Sequence, residues 1–513
     1  MGTEAPVVRL SRRFRPSVEE LLVRGGDGRL ALGETGSNRY GCSVLPDGDA
    51  AAFGSSTAST ISRTSFEAVA RLYRRMRDSG DGNAVLYGRE LERVRSMLMN
   101  LFGLSKGVEI VFGASGTDLH LIAAQLVSAV REPTMVIVVE AAETGSSVFP
   151  ALAGRHFSGR APLAASLTEG ASISGANSLD VVSVALRNAH GIPRDVDEVD
   201  AEVRQLCNVA RVDGQRVLLF MVDVSKTGLL APTARCVVEM KRSLGDALEV
   251  VVDASQGRIA PTTVRTYLRH EFVVALTGSK FYGGPAFSGA LLIPPAAAKT
   301  LRGRQIPRAL RAYSARADWP RGWSAAAGLD DVPNIGLLLR WEAALTEMSS
   351  FLAVPSADTT RFIARFRRAI EERLRADHVF EAASFPMLDR QPLCARGAWD
   401  TLPTIYPFVL RPPPGFPRGS VLNCEEIAQL HRKLLAAGCH LGQPVAYGSR
   451  SGGRSSALRL CLSARLIVEA TSLGGRDADR VIERAQAALT DTARLAAEIF
   501  AKRALPDARR RVA

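Results

Sequence analysis

The chain has 513 residues, 46% hydrophobic and 23% charged, with a formal net charge of +13. It is long enough for two or three domains and has the composition of an ordinary soluble protein. No apolar run approaches the roughly 18 residues of a membrane span, and the seven cysteines are scattered without a C-x-x-C pair, which argues against a zinc ribbon or a disulfide framework. Residues 1–15 carry arginines but no apolar core of a secretory signal, so the cytoplasm is the expected compartment and no membrane partner is expected.

The positive charge is spread along the chain. Its densest patch, Arg302 to Arg321, is interleaved with Tyr313 and Trp319, and Arg509–Arg511 read as a solvated end. No helix-turn-helix, zinc-finger or RNA-binding signature is present, so nucleic acid is not an expected partner. A solvated arginine-rich surface accounts for the charge, and an electropositive pocket for phosphates or carboxylates is the second reading.

Residues 1–85, rich in Gly, Ser and Arg with one helical stretch over 65–77, read as an arm. The loops around Asn38-Arg39-Tyr40-Gly41 and Ser55–Thr60 are candidates for the mouth of a site. From 86 onward helices and strands alternate. The spacing of Val94, Met97, Leu98 and Leu101 predicts a helix over 91–104. Further helices are expected over 118–130, 146–153, 196–209 and 234–243. Strands are expected over 108–112, 134–139, 181–186, 216–222, 248–252, 271–276 and 289–293. Their apolarity is continuous rather than alternating, which predicts a mostly parallel sheet sandwiched by helices, an α/β fold. In such sheets ligands bind beyond the carboxyl ends of the strands. Residues 294–333, rich in Pro, Arg and Trp, read as an irregular insertion near the site mouth. Residues 335–375 read as a helical bridge to a smaller C-terminal α+β module with strands over 405–410 and 457–462 and helices over 424–437 and 478–502. The expected division is thus an arm (1–85), a large domain (86–334) and a small domain (335–513).

Four motifs fall at strand ends. Gly113-Ala114-Ser115-Gly116-Thr117-Asp118 leaves a strand and opens a helix, whose free N–H groups and dipole suit a phosphate. Ser225-Lys226-Thr227-Gly228 follows the strand ending at Met221-Val222. Asp253-Ala254-Ser255-Gln256 ends the run Val250–Val252. Thr277-Gly278-Ser279-Lys280-Phe281-Tyr282-Gly283-Gly284 frames a lysine with hydroxyls and glycines, and Lys280 is one of only seven lysines among 65 basic residues. An amine able to form a Schiff base, downstream of a carboxylate able to keep a pyridine nitrogen protonated, is what a pyridoxal 5'-phosphate (PLP) site requires.

In this order the motifs resemble the PLP-dependent enzymes of fold type I, most closely the class V aminotransferase and cysteine desulfurase group. The resemblance covers 86–293 well and the C-terminal module loosely. It implies a homodimer with the site at the subunit interface, where the glycine-rich run after the lysine meets the partner. It also implies a cofactor cradle of Ser115, Gly116, Thr117, Thr277 and Ser279, with Gln256 and Ser225 on the 3'-oxygen side. Asp253 pairs with the pyridinium, and Lys280 is the Schiff-base lysine. Lys226 either faces the substrate or is solvated, and solvation is the leading reading. An amino-acid substrate would pass through an external aldimine and an α-carbanion, with its carboxylate clamped by Arg459, or else by Arg454 or Arg450.

Two departures from the family stand out. After Val139-Glu140 the chain has Ala141-Ala142 where the family places a ring-stacking His, so stacking falls to one of these alanines or to another residue. Residues 443–456 hold no Cys, and the neighbouring Cys439 reads as a buried thiol, so a desulfurase reaction is disfavoured. Aminotransferase-type chemistry is the leading expectation. A lyase or carbon–carbon bond-forming enzyme acting on a larger anionic substrate, such as a nucleotide or an adenosyl amino acid, is the alternative. A nucleotide-binding α/β protein without PLP is weakened, because no G-x-G-x-x-G follows the first strand.

Overall fold

The strands with unbroken apolar runs are the ones buried on both faces. In a computed structural model, residues 16–504 are described, apart from 47–50, 80, 129–131, 396, 415, 417–420, 451–452 and 473–475; Met1–Arg15 and Arg509–Arg511 lie outside the described residues. In chain order the strands are β1 (Ala51–Phe53), β2 (Glu109–Gly113), β3 (Thr134–Val139), β4 (Asp180–Val184), β5 (Arg216–Asp223), β6 (Leu230–Ala231), β7 (Leu248–Ala254), β8 (Val273–Thr277), β9 (Gly289–Ile293), β10 (Phe380–Ala382), β11 (Ile405–Leu410), β12 (Cys439–Arg450) and β13 (Gly453–Cys461).

The first sheet runs β2-β9-β8-β7-β5-β3-β4, with β6 beside β5. The pairs β3/β4, β3/β5, β5/β7 and β7/β8 are parallel, and β9 is antiparallel to both neighbours. Every residue of β3, β8 and β9 is buried, as a sheet covered on both faces demands. The strands expected over 134–139 and 289–293 are found at those residues. The second sheet runs β1-β12-β13-β11-β10. Its β1 comes from the N-terminal arm and pairs in parallel with β12, Ala51 opposite Cys439.

The helices follow local rules. Gly116–Val127 starts on a capping box in which Ser115 and Asp118 bond each other's backbone. Arg63–Asp78 buries Val69, Leu72 and Met76 on one face. The stretch expected as a single bridge over 335–375 is two helices, Ile335–Leu352 and Ser356–Ala376. They are broken at Val354-Pro355, where proline disfavours helical backbone in the residue before it.

Two expectations are corrected. Residues 294–333 do not sit at the site mouth. Trp319, Trp323, Leu310 and Tyr313 are buried in one apolar cluster with Leu121 and Leu126 of the helix Gly116–Val127. Arg304 donates to the Val127 carbonyl (3.0 Å) and Arg316 to that of Leu329 (3.0 Å), so these arginines tie the insertion down. The second correction is β12, a strand over residues to which the sequence assigned no element. Gly442, Pro444 and Gly448 interrupt its alternation, and its pairing with β13 shifts register between Gly442 and Val445 and again between Ala446 and Ser449.

Candidate active site

The carboxyl ends of β2, β7 and β8 deliver Ser115–Thr117, Asp253–Ser255 and Thr277–Lys280 to one cavity of about 260 Å³. The arm adds Arg29, Arg39, Tyr40, Ser56 and Thr57, and the second sheet adds Gln443 and Arg459. A larger cavity of about 340 Å³ near Pro193, Pro232 and Met387 holds none of the residues singled out above.

Asp253 is buried at the end of β7. Burial alone pushes its carboxyl up, but His120, the Ser255 side chain and the Lys280 charge outweigh this and hold it well below the usual carboxylate range; the Ser255 N–H donates to it as well (3.0 Å). His120 went unremarked in the sequence because it lies on a helix one turn inside the phosphate-type loop. Its Nε2 is 3.3 Å from Asp253 Oδ2, within ion-pair distance though off the hydrogen-bond line, and its ring stacks on Phe220 (4.7 Å). The signal that could have found it is spacing: it is i+4 from Gly116, on the face of the helix that looks at the end of β7.

Lys280 is partly buried. Burial lowers its amine to about 8, helped by the charges of Arg459, Arg258 and Arg29 and opposed by Asp253. The glycines after it serve this chain's own packing. A Cβ on Gly284 would lie 2.7 Å from the Gly278 carbonyl oxygen and 2.9 Å from Ala344 Cα, so the turn presses on the helix Ile335–Leu352. Gly283, at φ +86°, has its carbonyl bonded by Arg465 (2.5 Å).

The hydroxyls divide by their bonds. Ser115 lines the cavity, but its N–H and hydroxyl both bond Asp118, and its oxygen also accepts from Arg29 (3.3 Å). Thr277 donates to the Ser255 carbonyl (2.7 Å). Ser255 Oγ is buried with no hydrogen-bond partner, and Ser279 lines the cavity.

Two expected cofactor contacts do not reach the cavity wall. The Ser225 hydroxyl is turned into a buried hub, donating to Glu143 (2.7 Å) and accepting from the N–H groups of Thr227 and Leu229. The hub is closed by Arg187, which bonds Glu143 (2.6 Å) and Thr227 (2.6 Å) and lies over the Tyr447 ring. Gln256 donates to the Ser56 carbonyl (3.2 Å) from behind the wall. Lys226, by contrast, is half-buried: it lines the cavity and donates to the Ala141 carbonyl (3.2 Å).

Arg459 is 2% exposed. Its guanidinium donates to the carbonyls of Lys226 (3.0 Å) and Gln443 (2.6 Å) and to Thr57 Oγ1 (3.1 Å), while its Nε has no partner. Arg454 lies on β13 opposite Ser449, and the side chains of Arg454 and Arg450 lie outside the described residues. Cys439 is buried at the start of β12, and burial pushes its thiol up to about 12, so it offers no thiolate near neutrality.

No family model and no curated protein matches the chain. Solved structures do. One is the complex between the cystine C–S lyase C-DES and its reaction product cysteine persulfide (TM-score 0.53, 15% identity, covering 86% of this chain and 98% of that one). Another is a NifS-like protein (0.51, 13%, covering 86% and 100%). A third is Oryza sativa TDC with PLP and tryptamine (0.51, 12%, covering 88% and 83%). These likenesses show the fold, a central sheet with parallel strands and many helices: that of the PLP-dependent enzymes of fold type I.

Proposed function

We propose that the protein is a PLP-dependent enzyme that removes the α-proton of an amino-acid substrate in aminotransferase-type chemistry. The observation that carries this reading is the meeting of Lys280 and an ionised, buried Asp253 in one cavity beside a helix start. The residues present fit the cofactor. Gly116 and Thr117 open their helix, so their N–H groups have no acceptor within it. A Cβ at Gly116 would come within 2.8 Å of Ser255 Oγ, so the glycine keeps open a cradle beside an unpartnered hydroxyl. The charge of Asp253 is what a protonated ring nitrogen needs opposite it.

When bound, the cofactor supplies an electron sink for the substrate α-carbon. Lys280 Nζ would hold its aldehyde carbon and, once released, take the α-proton; an amine lowered to about 8 is suited to both tasks. His120 fixes Asp253 from behind. Arg459 would hold the substrate carboxylate through the N–H groups that its protein partners leave free. The dispersed free cysteines are consistent with a cytoplasmic enzyme, and we take it to be a homodimer, which sedimentation checks.

The purified protein is expected to be yellow, with an absorbance band that borohydride removes and that Lys280→Ala lacks. Retention of a borohydride-reducible band in that variant sinks the assignment. For the reaction, the holoenzyme is incubated with a panel of amino acids. Pyridoxamine phosphate with a 2-oxo acid supports transamination. Loss of a side-chain leaving group without pyridoxamine phosphate replaces it with the lyase reading.

A further inference from the structure

Two cations line the cavity, and among the described residues neither forms an ion pair. Lys226 Nζ donates to the Ala141 carbonyl (3.2 Å), and Arg459 Nη1 donates to the carbonyl of Lys226 itself (3.0 Å). Both side chains line the cavity, and among the described residues no carboxylate lies within ion-pair distance of either. Arg29, near the helix start, differs: its Nε and Nη2 donate to Asp27 Oδ2 (2.9 and 2.6 Å) and its Nε also to Oδ1 (3.0 Å). Glu143 is nearby, but its oxygens are bonded by Arg187, Ser225 and Thr227. Burying a cation without an anion is costly, and two adjacent ones more so. Such an arrangement makes sense when the anion arrives with the ligand.

We propose that Lys226 and Arg459 form a two-cation end of the cavity that selects an amino acid carrying a second acidic group. Arg459 takes the α-carboxylate and Lys226 the distal acid. The inference rests on the reading of Lys280 as the cofactor lysine. One carboxylate is enough for the charge of Arg459, which has one Nη1 hydrogen left after its bonds to Lys226, Thr57 and Gln443. The ammonium of Lys226 is then left over, a compact charge with rotatable donors that suits a carboxylate or phosphate at the end of a short side chain. The groups that face Lys226 are Arg459 from β13, Lys280 after β8, Glu143 after β3 and Arg29 from the arm. Burial and the charges of Arg459 and Lys280 lower its amine to about 8. Lys226 must be charged to hold the second acid, so the preference for diacids is expected to fade as pH rises through about 8.

The test uses holoenzyme and simple acids, read by calorimetry and by the cofactor band. Succinate and glutarate are compared with succinamate and glutaramate, which keep one carboxylate and replace the other with an amide. At pH 7 the diacids are expected to bind about 10- to 100-fold more tightly, the worth of a hydrogen bond between charged groups. Lys226→Met should abolish the preference and Lys226→Arg should keep it, with Lys226→Gln as a second neutral variant should Met disturb the fold. Equal affinity for diacid and monoamide, or a preference that survives both Met and Gln, overturns the inference. The borohydride-reducible band is scored first on every protein. Its absence from the wild type removes the cofactor reading, whereas a normal band without diacid preference removes only the role of Lys226.

Discussion

His120 Nε2 lies 3.3 Å from Asp253 Oδ2 while its Nδ1 lies 2.7 Å from the carbonyl oxygen of Gly116. One imidazole therefore joins the helix start at Gly116 to the carboxylate at the end of β7. Nδ1 is within hydrogen-bond distance of the Gly116 carbonyl, Nε2 lies beside the carboxylate without a hydrogen bond to it, and the stack on Phe220 fixes the plane of the ring.

His120→Phe should keep the stack but remove both contacts. The affinity for pyridoxal phosphate is expected to fall about 10- to 100-fold, as for the loss of a partner to a charged acceptor. The absorbance maximum should shift as Asp253 relaxes. An unchanged maximum and affinity, measured by equilibrium titration of apoprotein, would show that Asp253 holds its place without His120.

Asp253→Ala should lower turnover by roughly 100-fold or more, the scale of a lost electrostatic stabiliser, while Lys280 still captures the cofactor. Single-turnover absorbance separates the two effects. Turnover near the wild-type rate would remove Asp253 from the mechanism.

The Lys280 amine, lowered to about 8 from its ordinary 10.5, should react with pyridoxal phosphate as a partly free base. The unprotonated amine is the nucleophile, so the rate of covalent capture by apoprotein should climb as pH rises through about 8 and level off above it. At pH 7 roughly one amine in ten is already free, against fewer than about one in a thousand at the ordinary value. A capture rate that keeps rising through pH 10 would mean that the amine is not desolvated as its surroundings imply.

Gly284→Ala places a methyl group 2.7 Å from a backbone oxygen and 2.9 Å from Ala344 Cα, neither of which can swing aside. The expected loss is about 1–3 kcal/mol of stability, read as a lower denaturation midpoint. Gly303→Ala is the control, since nothing lies within 4 Å of a Cβ there, and it should stay within about 0.5 kcal/mol of the wild type. Equal midpoints for the two variants would contradict the close packing of this turn.

The sequence and the structure agree where one physical signal dominates. The buried strands are continuous apolar runs, so β3, β9 and β11 fall on the expected residues, and the glycine-bounded turn with Lys280 lies at a strand end. Agreement fails where tertiary context decides. β12 carries Gly442, Pro444 and Gly448 and forms because β13 and the arm's β1 pair with it. The polar signature of Ser225-Lys226 was legible, but which of the two faces the cavity is set by Glu143, 82 positions away, which draws the serine hydroxyl inward. Trp319 and Trp323 read as a rim because aromatic and arginine residues alternate there, and only the helix Gly116–Val127 beneath them shows that they are core.

Arg459 holds together three distant segments: Thr57 from the arm, the Lys226 turn and Gln443 of β12. During synthesis the helix start at Ser115, Asp253 and Lys280 emerge and can pack long before residue 459 leaves the ribosome. The wall of the cavity cannot close until some four hundred residues separating Thr57 from Arg459 have folded, a contact of very high sequence separation and so a slow one to form. Closure of the cavity is thereby a late event of folding, available only to a chain whose arm and β13 have already found each other.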